Sequence, residues 1–94
     1  MKPVLLAITV LTDGHRAQIA QSFELLYAPE PAQAFEAIAR HGARVQAVLT
    51  IGSIGLSAAQ MDALPQLQLV CALGAGYENI DLAHARGCGI ALAN

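Results

Sequence analysis

Charged side chains are scarce in this chain. Asp, Glu, Lys and Arg make up 13% of its 94 residues, against 55% hydrophobic residues. The five Lys and Arg residues are scattered and the formal net charge is −2, so no basic stripe of the kind that binds nucleic acid is present. No apolar run approaches the ~18 residues needed to cross a bilayer. We therefore expect neither nucleic acid nor a membrane as a partner.

Cysteine is equally sparse, with only Cys71 and Cys88. Their separation matches no metal-ligand spacing, so we predict no metal site. Two free thiols indicate a reduced, cytoplasmic compartment. The apolar first eleven residues resemble a signal peptide, but Asp13 and Gly14 interrupt them and no cleavage site follows. A soluble cytoplasmic protein whose first strand is buried is the expectation.

What the chain does have is a regular alternation of apolar runs and helical patterns. The runs are continuous rather than alternating with polar residues, which is typical of a parallel sheet covered on both faces. We predict a flavodoxin-like α/β fold with a five-stranded parallel sheet in the order 2-1-3-4-5. The predicted strands cover residues 3–10, 24–28, 45–51, 67–73 and 89–94.

Helix start and stop signals lie between these strands. Thr12 or Asp13 caps a helix over 15–23, Pro31 opens a helix that runs to Arg40 and stops at Gly42, and Ser57 and Asp81 cap two short helices. Apolar spacing predicts a buried stripe on each of the first two helices. The stripe residues are Ala17, Ile19, Ala20 and Phe23 on the first and Ala34, Phe35 and Ile38 on the second.

Two glycine-containing loops follow the third and fourth predicted strands, at 51–56 and 74–79. Glycines at 74 and 76 permit positive φ and close ligand approach, and Ala75 adds only a methyl group, so successive backbone amides can converge on a carboxylate. Ser53 adds a hydroxyl from the other loop. Ligands of such sheets bind beyond the carboxyl ends of the strands. We therefore predict neighbouring loops that form an anion site, with packing turns as the alternative.

The same segment is not a dinucleotide fingerprint, because Asn79 stands where the third small residue is required. No acid–base group accompanies the loops either. The histidines, at 15, 41 and 84, are expected to be solvated or capping, and Asp62, Glu78 and Asp81 to be surface or capping carboxylates. Residues 1–94 are thus predicted to hold no catalytic, cofactor-binding or metal-binding residue.

Residues 48–94 resemble the N-terminal segment of D-isomer-specific 2-hydroxyacid dehydrogenases. The most specific matches are the Leu-Pro-x-Leu approach at 64–67, the loop Gly-Ala-Gly-Tyr-Glu-Asn-Ile-Asp at 74–81, and Arg-Gly-Cys-Gly-Ile at 86–90. The first 44 residues match in pattern only. The resemblance implies that 1–94 is the N-terminal part of a substrate-binding domain, and that the Rossmann domain that binds NAD or NADP is absent from this chain.

The resemblance also implies roles for individual residues. The backbone amides of Ala75 and Gly76 hold the substrate carboxylate, Gly74 shapes the turn, and Ser53 lines the pocket. The catalytic Arg, Glu and His of the family lie further along, so the chain alone is expected to be inactive. The parent enzyme is expected to be a homodimer.

The substrate implied is a small 2-oxo or 2-hydroxy carboxylate. The loop at 51–56 has no cation to pair with a phosphate, and its sequence is most similar to the glyoxylate and hydroxypyruvate reductase type. Two alternatives stay open: a free-standing flavodoxin-like binder, although Thr50 stands where a receiver needs its acceptor carboxylate, and an interaction domain with an inert loop. We also expect self-association through the C-terminal third, at Leu82, Leu92 or other residues of that segment.

Overall fold

A computed structural model describes residues 1–74 and 76–94. Five parallel strands form one sheet in the order β2-β1-β3-β4-β5, which confirms the predicted flavodoxin-like α/β fold. The strands are β1 Val4–Ala7, β2 Glu24–Tyr27, β3 Val45–Ile51, β4 Leu69–Leu73 and β5 Ala91–Ala93. The helices are α1 Asp13–Ala20, α2 Pro31–His41, α3 Ala58–Asp62 and α4 Leu82–Gly87. Within the described residues, no helix has the length and apolar character that spanning a membrane requires.

The predicted helix caps are confirmed by their hydrogen bonds. The Thr12 side chain accepts from the backbone N–H of His15, and Asp81 accepts from that of His84. At α3 the Ser57 hydroxyl accepts from the Gln60 N–H while the Gln60 side chain accepts from the Ser57 N–H, a complete capping box. Short polar side chains satisfy amides that a helix leaves free, so these starts are encoded locally.

The core has two unequal layers, one on each face of the sheet. The larger layer joins β-strand side chains such as Leu6, Val48 and Val70 to residues of α2, α3 and α4. The smaller layer is built around Leu5, Ala7, Leu11, Ala47 and Leu49 and packs against Ile19 of α1. Among the described helices only α1 contributes to this second layer, so the sheet is covered unevenly rather than equally on both faces.

The predicted stripes on α1 and α2 are partly wrong. No residue of α1 is buried; Ala17 and Ala20 are exposed, and Ile19 is half-buried. On α2, Ala34 is buried as predicted, whereas Phe35 is 78% exposed. Apolar spacing identifies a helix face, but burial also requires a neighbour opposite every position on that face.

Gly42 ends α2 for a different reason from the one predicted. A helix-ending glycine is expected to adopt a left-handed backbone, but Gly42 has φ −51° and continues into a 3₁₀ turn over Gly42–Arg44. A Cβ atom at Gly42 would lie 2.5 Å from the carbonyl oxygen of Ala63. Close packing against the segment that follows α3 therefore explains this glycine.

An ion pair ties β2 to the turn before β3. Arg44 Nη2 donates to Glu24 Oε2 at 3.0 Å, and this hydrogen bond, with the guanidinium charge, lowers the pKa of Glu24. Since the folded pKa of Glu24 lies below the unfolded one, the pair stabilises the fold above about pH 4 and loses that effect as the pH falls through the folded pKa.

Glu24→Gln should lower the melting temperature slightly at neutral pH and have no effect in strong acid. A double-mutant cycle with Arg44→Gln is the control, and a Glu24 effect that persists unchanged in the Arg44→Gln background would contradict the assignment.

Self-association is still expected through the C-terminal third, which includes Leu82 and Leu92. Both side chains are partly buried and pack against the larger core layer. Leu69 and Cys71 instead lie half-buried on the thinly covered face. Leu69→Lys should shift light-scattering mass toward the monomer, because a charge on this face opposes apolar contact. Gln68→Lys adds the same charge at an exposed neighbour and should leave the mass unchanged; equal behaviour of the two variants would remove this face as the contact.

Candidate functional site at the carboxyl edge of the sheet

The loops that follow β3 and β4 lie side by side, as the sequence predicted. The Asn79 N–H donates to the Gly52 carbonyl at 3.1 Å, and the Leu56 N–H donates to the Asn79 carbonyl at 3.1 Å. The Asp81 N–H then donates to the Leu56 carbonyl at 3.0 Å. Leu56 and Ile80 form a parallel bridge beyond the ends of the strands. The backbone of each loop is thus fixed by the other loop.

Thr50, in β3, supports the loop at 51–56 through a hydrogen bond. Its side chain is buried, and its hydroxyl donates to the Gly55 carbonyl at 2.9 Å. The N–H groups of Ile54 and Gly55 both donate to the Ile51 carbonyl, at 3.1 and 2.7 Å. These bonds define the turn after β3. Thr50, which stands at the position of a receiver's acceptor residue, acts here as a structural support for the loop.

The second loop begins with Gly74, which has φ +86°, so the expected positive φ is present. Ala75 lies outside the described residues. Gly76 is half-buried, and Tyr77 closes the loop by accepting from the Ile80 N–H at 3.0 Å. The side-chain amide of Asn79 donates from Nδ2 to the Ser53 carbonyl at 2.8 Å. This bond fixes the loop that carries the exposed Ser53. Gly74, Gly76 and Ser53 are therefore brought to one edge of the sheet.

Glu78 is exposed, as predicted, but the position of its carboxylate also makes it a functional candidate. Its Oε1 lies 2.9 Å from the position that a Cβ would occupy on Gly52, and in direct contact with the corresponding position on Gly76. The carboxylate thus rests against both loops although the residue is exposed. A negative group here repels a bound carboxylate and so weakens an anion site between the loops.

The three histidines differ in their surroundings. His15 is exposed and lines a shallow pocket with Leu49 and Leu73. His41 Nδ1 is 3.5 Å from Arg44 Nη2. His84 was expected to be solvated or capping, but its Nε2 lies 2.7 Å from Asp62 Oδ1, so it connects α4 to α3. Sequence spacing carries no signal for a contact between two separate helices.

Comparisons with known proteins agree with this architecture. The family model of the D-isomer specific 2-hydroxyacid dehydrogenase catalytic domain matches residues 6–94. No curated protein sequence matches the chain.

Solved structures extend the likeness. The chain is 29% identical to a 2-hydroxyacid dehydrogenase from Ketogulonicigenium vulgare, with a TM-score of 0.88, covering 100% of this chain and 30% of that one. An NADPH-dependent glyoxylate/hydroxypyruvate reductase from Sinorhizobium meliloti, solved with NADP and malonate, gives 23% identity and a TM-score of 0.80, covering 100% of this chain and 28% of that chain. For D-mandelate dehydrogenase from Rhodotorula graminis the sequence identity is 20% and the TM-score is 0.75, covering 100% of this chain and 31% of that one. The chain spans about 30% of the length of these relatives.

Fold and loops together define a flavodoxin-like α/β domain with two glycine-containing loops at the carboxyl edge of its sheet. With 89 consecutive residues matched, from 6 to 94, the chain belongs to the D-isomer specific 2-hydroxyacid dehydrogenase catalytic-domain family.

Proposed function

We propose that this chain supplies the carboxylate-binding part of an oxidoreductase that interconverts a small 2-oxo acid and the corresponding D-2-hydroxy acid. The observation that carries the proposal is the mutual anchoring of the two loops, through Asn79 to Gly52 and through Leu56 to Asn79. Amide donors act on an anion best when their positions are fixed before it arrives. Ser53, Gly74, Ala75 and Gly76 are the proposed substrate-binding residues.

The proposed substrate is an unphosphorylated acid such as glyoxylate or hydroxypyruvate. No Lys or Arg occurs between positions 51 and 56, so this loop offers no partner for a phosphate. Hydride transfer requires NAD or NADP. We assign the binding site for this cofactor to a nucleotide-binding domain outside residues 1–94.

The apolar side chains at this edge favour a second domain as a neighbour. Val10 after β1 is 72% exposed, Ile54 after β3 is 46% exposed, and Leu73 at the end of β4 is 42% exposed. All three lie at the carboxyl edge, beside the proposed carboxylate site. A partner domain that covers them would exclude water from the reacting carbon, where electrostatic contacts then strengthen.

Binding of a carboxylate tests the proposal without requiring catalysis. Oxalate should be titrated into isotope-labelled protein while the backbone amide shifts are followed. We expect saturable shifts confined to residues 52–56 and 74–80, with acetate at the same ionic strength giving weaker binding because it has one carboxylate. Shifts that are absent, or spread evenly over the surface, would identify the loops as inert turns.

Removal of the Glu78 charge should strengthen this binding. Because the Glu78 carboxylate rests against both loops, it repels a bound carboxylate by an amount on the order of 1 kcal/mol near a solvated surface. Glu78→Gln keeps the shape and should tighten oxalate binding several-fold at low salt, with a smaller gain at high salt. Glu36→Gln removes the same charge from α2 and serves as the control. Equal affinities of Glu78→Gln and Glu36→Gln would show that Glu78 does not face the ligand.

A further inference from the structure

Three potential metal ligands converge where α3 meets α4. Asp62 is the last residue of α3, His84 lies in the first turn of α4, and Cys88 caps the C-terminal end of α4. His84 Nε2 is 2.7 Å from Asp62 Oδ1 and 3.7 Å from Cys88 Sγ. All three ligand atoms lie within 4.8 Å of one another. The cluster contains no residue of the glycine loops, so it is independent of the proposed carboxylate site.

The convergence follows from local geometry and one tertiary contact. His84 and Cys88 are four residues apart, a separation that places both side chains on the same side of a helix. The Asp81 carboxylate accepts from the His84 backbone N–H at 3.0 Å and fixes the first turn of α4. Contact between α3 and α4 then brings Asp62 to the same imidazole nitrogen. The single nitrogen atom is thus the centre of the cluster.

The two separations from the His84 nitrogen are close to those of a tetrahedral zinc site, and the exposed Asp62 side chain can move to bring its oxygen nearer the Cys88 sulfur. With Zn–N and Zn–O near 2.0 Å and Zn–S near 2.3 Å, tetrahedral ligand atoms are about 3.3 to 3.5 Å apart. The nitrogen–sulfur distance of 3.7 Å already fits. The nitrogen–oxygen distance of 2.7 Å must open by about half an ångström, which the exposed Asp62 side chain permits.

We propose that Asp62, His84 and Cys88 bind a zinc ion that joins α3 to α4. Imidazole, thiolate and carboxylate are the ligand types that zinc accepts together, whereas calcium and magnesium select oxygen. Three protein ligands leave the fourth position to water. On binding, the Cys88 thiol releases its proton to solvent, and His84 presents the Nε2 lone pair with its proton on Nδ1. The hydrogen bond between His84 and Asp62 is replaced by two metal bonds.

Cobalt is the direct probe, because a cobalt–thiolate bond absorbs in the near ultraviolet. The protein should be titrated with Co²⁺ in a non-chelating reductant. We expect one equivalent to give the thiolate absorption in the wild type and in Cys71→Ser, which removes the other cysteine. Cys88→Ser should lose the absorption, and Asp62→Asn should weaken binding by about tenfold or more. Absorption that survives in Cys88→Ser, or none in the wild type, would overturn the proposal.

Thermal stability provides the second readout, with zinc itself. Zn²⁺ should raise the melting temperature of the wild type and of Cys71→Ser, because an ion that binds only the folded state stabilises it. No rise is expected for Cys88→Ser, whose exposed position makes the substitution compatible with folding. If zinc leaves the wild-type melting temperature unchanged, the cluster is an ordinary hydrogen-bonded contact between two helices.

Discussion

Gly55→Ala is expected to lower the free energy of unfolding by about 3 kcal/mol or more, the combined cost of a left-handed alanine and of disrupted hydrogen bonds between the loops. Gly55 has φ +70°, and a Cβ atom there would overlap the carbonyl oxygen of Asn79. That oxygen belongs to the backbone and accepts from the Leu56 N–H, so it cannot move without separating the loops. Denaturant unfolding measures the loss.

Two other glycines distinguish the cost of a left-handed backbone from the cost of overlap with the neighbouring loop. Gly89 has φ +73° and no atom within 4 Å of its Cβ position, so Gly89→Ala should show only the backbone cost, on the order of 1 kcal/mol. Gly87 is in α4 and also has open space, so Gly87→Ala should be neutral or stabilising by up to about 1 kcal/mol. A Gly55→Ala loss no larger than that of Gly89→Ala would show that the approach of the two loops is not tight.

Gly76→Val is expected to impair function while leaving the fold intact. A Cβ atom at Gly76 would meet the end of the Glu78 side chain, an exposed and flexible group that can rotate away. The larger side chain would then stand between the loop amides and the substrate. We expect kcat/KM of the proposed parent dehydrogenase to fall by about 100-fold, the effect typical of losing one oxyanion donor.

A paired variant distinguishes obstruction from a displaced Glu78. Gly76→Val combined with Glu78→Ala removes the side chain that must move, so any defect that remains comes from the valine itself. The melting temperature of both variants should stay close to that of the parent. If Gly76→Val retains full kcat/KM, the loop serves only as a turn and the carboxylate site is elsewhere.

Capping shows how much of this fold is encoded locally. Ser57 with Gln60, Thr12 and Asp81 mark helix starts that the structure reproduces, because each cap bonds to an amide three residues away. The ends of the elements were less well predicted. β1 covers Val4–Ala7 rather than 3–10, and α1 begins at Asp13 and ends at Ala20 rather than covering 15–23. Strand length is decided by the partner strand, which a local pattern does not include.

Some features of the candidate site could also be predicted from the sequence, and others could not. Glycines at 55, 74 and 76 and the order of the strands could be read from the sequence, and they predicted two neighbouring loops. The position of the Glu78 carboxylate could not, since it depends on how the second loop folds back over Gly52. The same is true of the contact of Asp62 with His84, which joins residues 22 positions apart.

By itself the sequence determined the parallel sheet, its strand order and the glycine loops, because continuous apolar runs, caps and turn residues act over a few neighbouring positions. Only the tertiary structure decided which apolar residues are covered. Phe35 faces outward and the β4 side chains Leu69 and Cys71 are half-covered, because burial depends on which element lies opposite each position. It also decided which polar groups meet, since contacts such as Asp62 with His84 exist only once separate helices pack together.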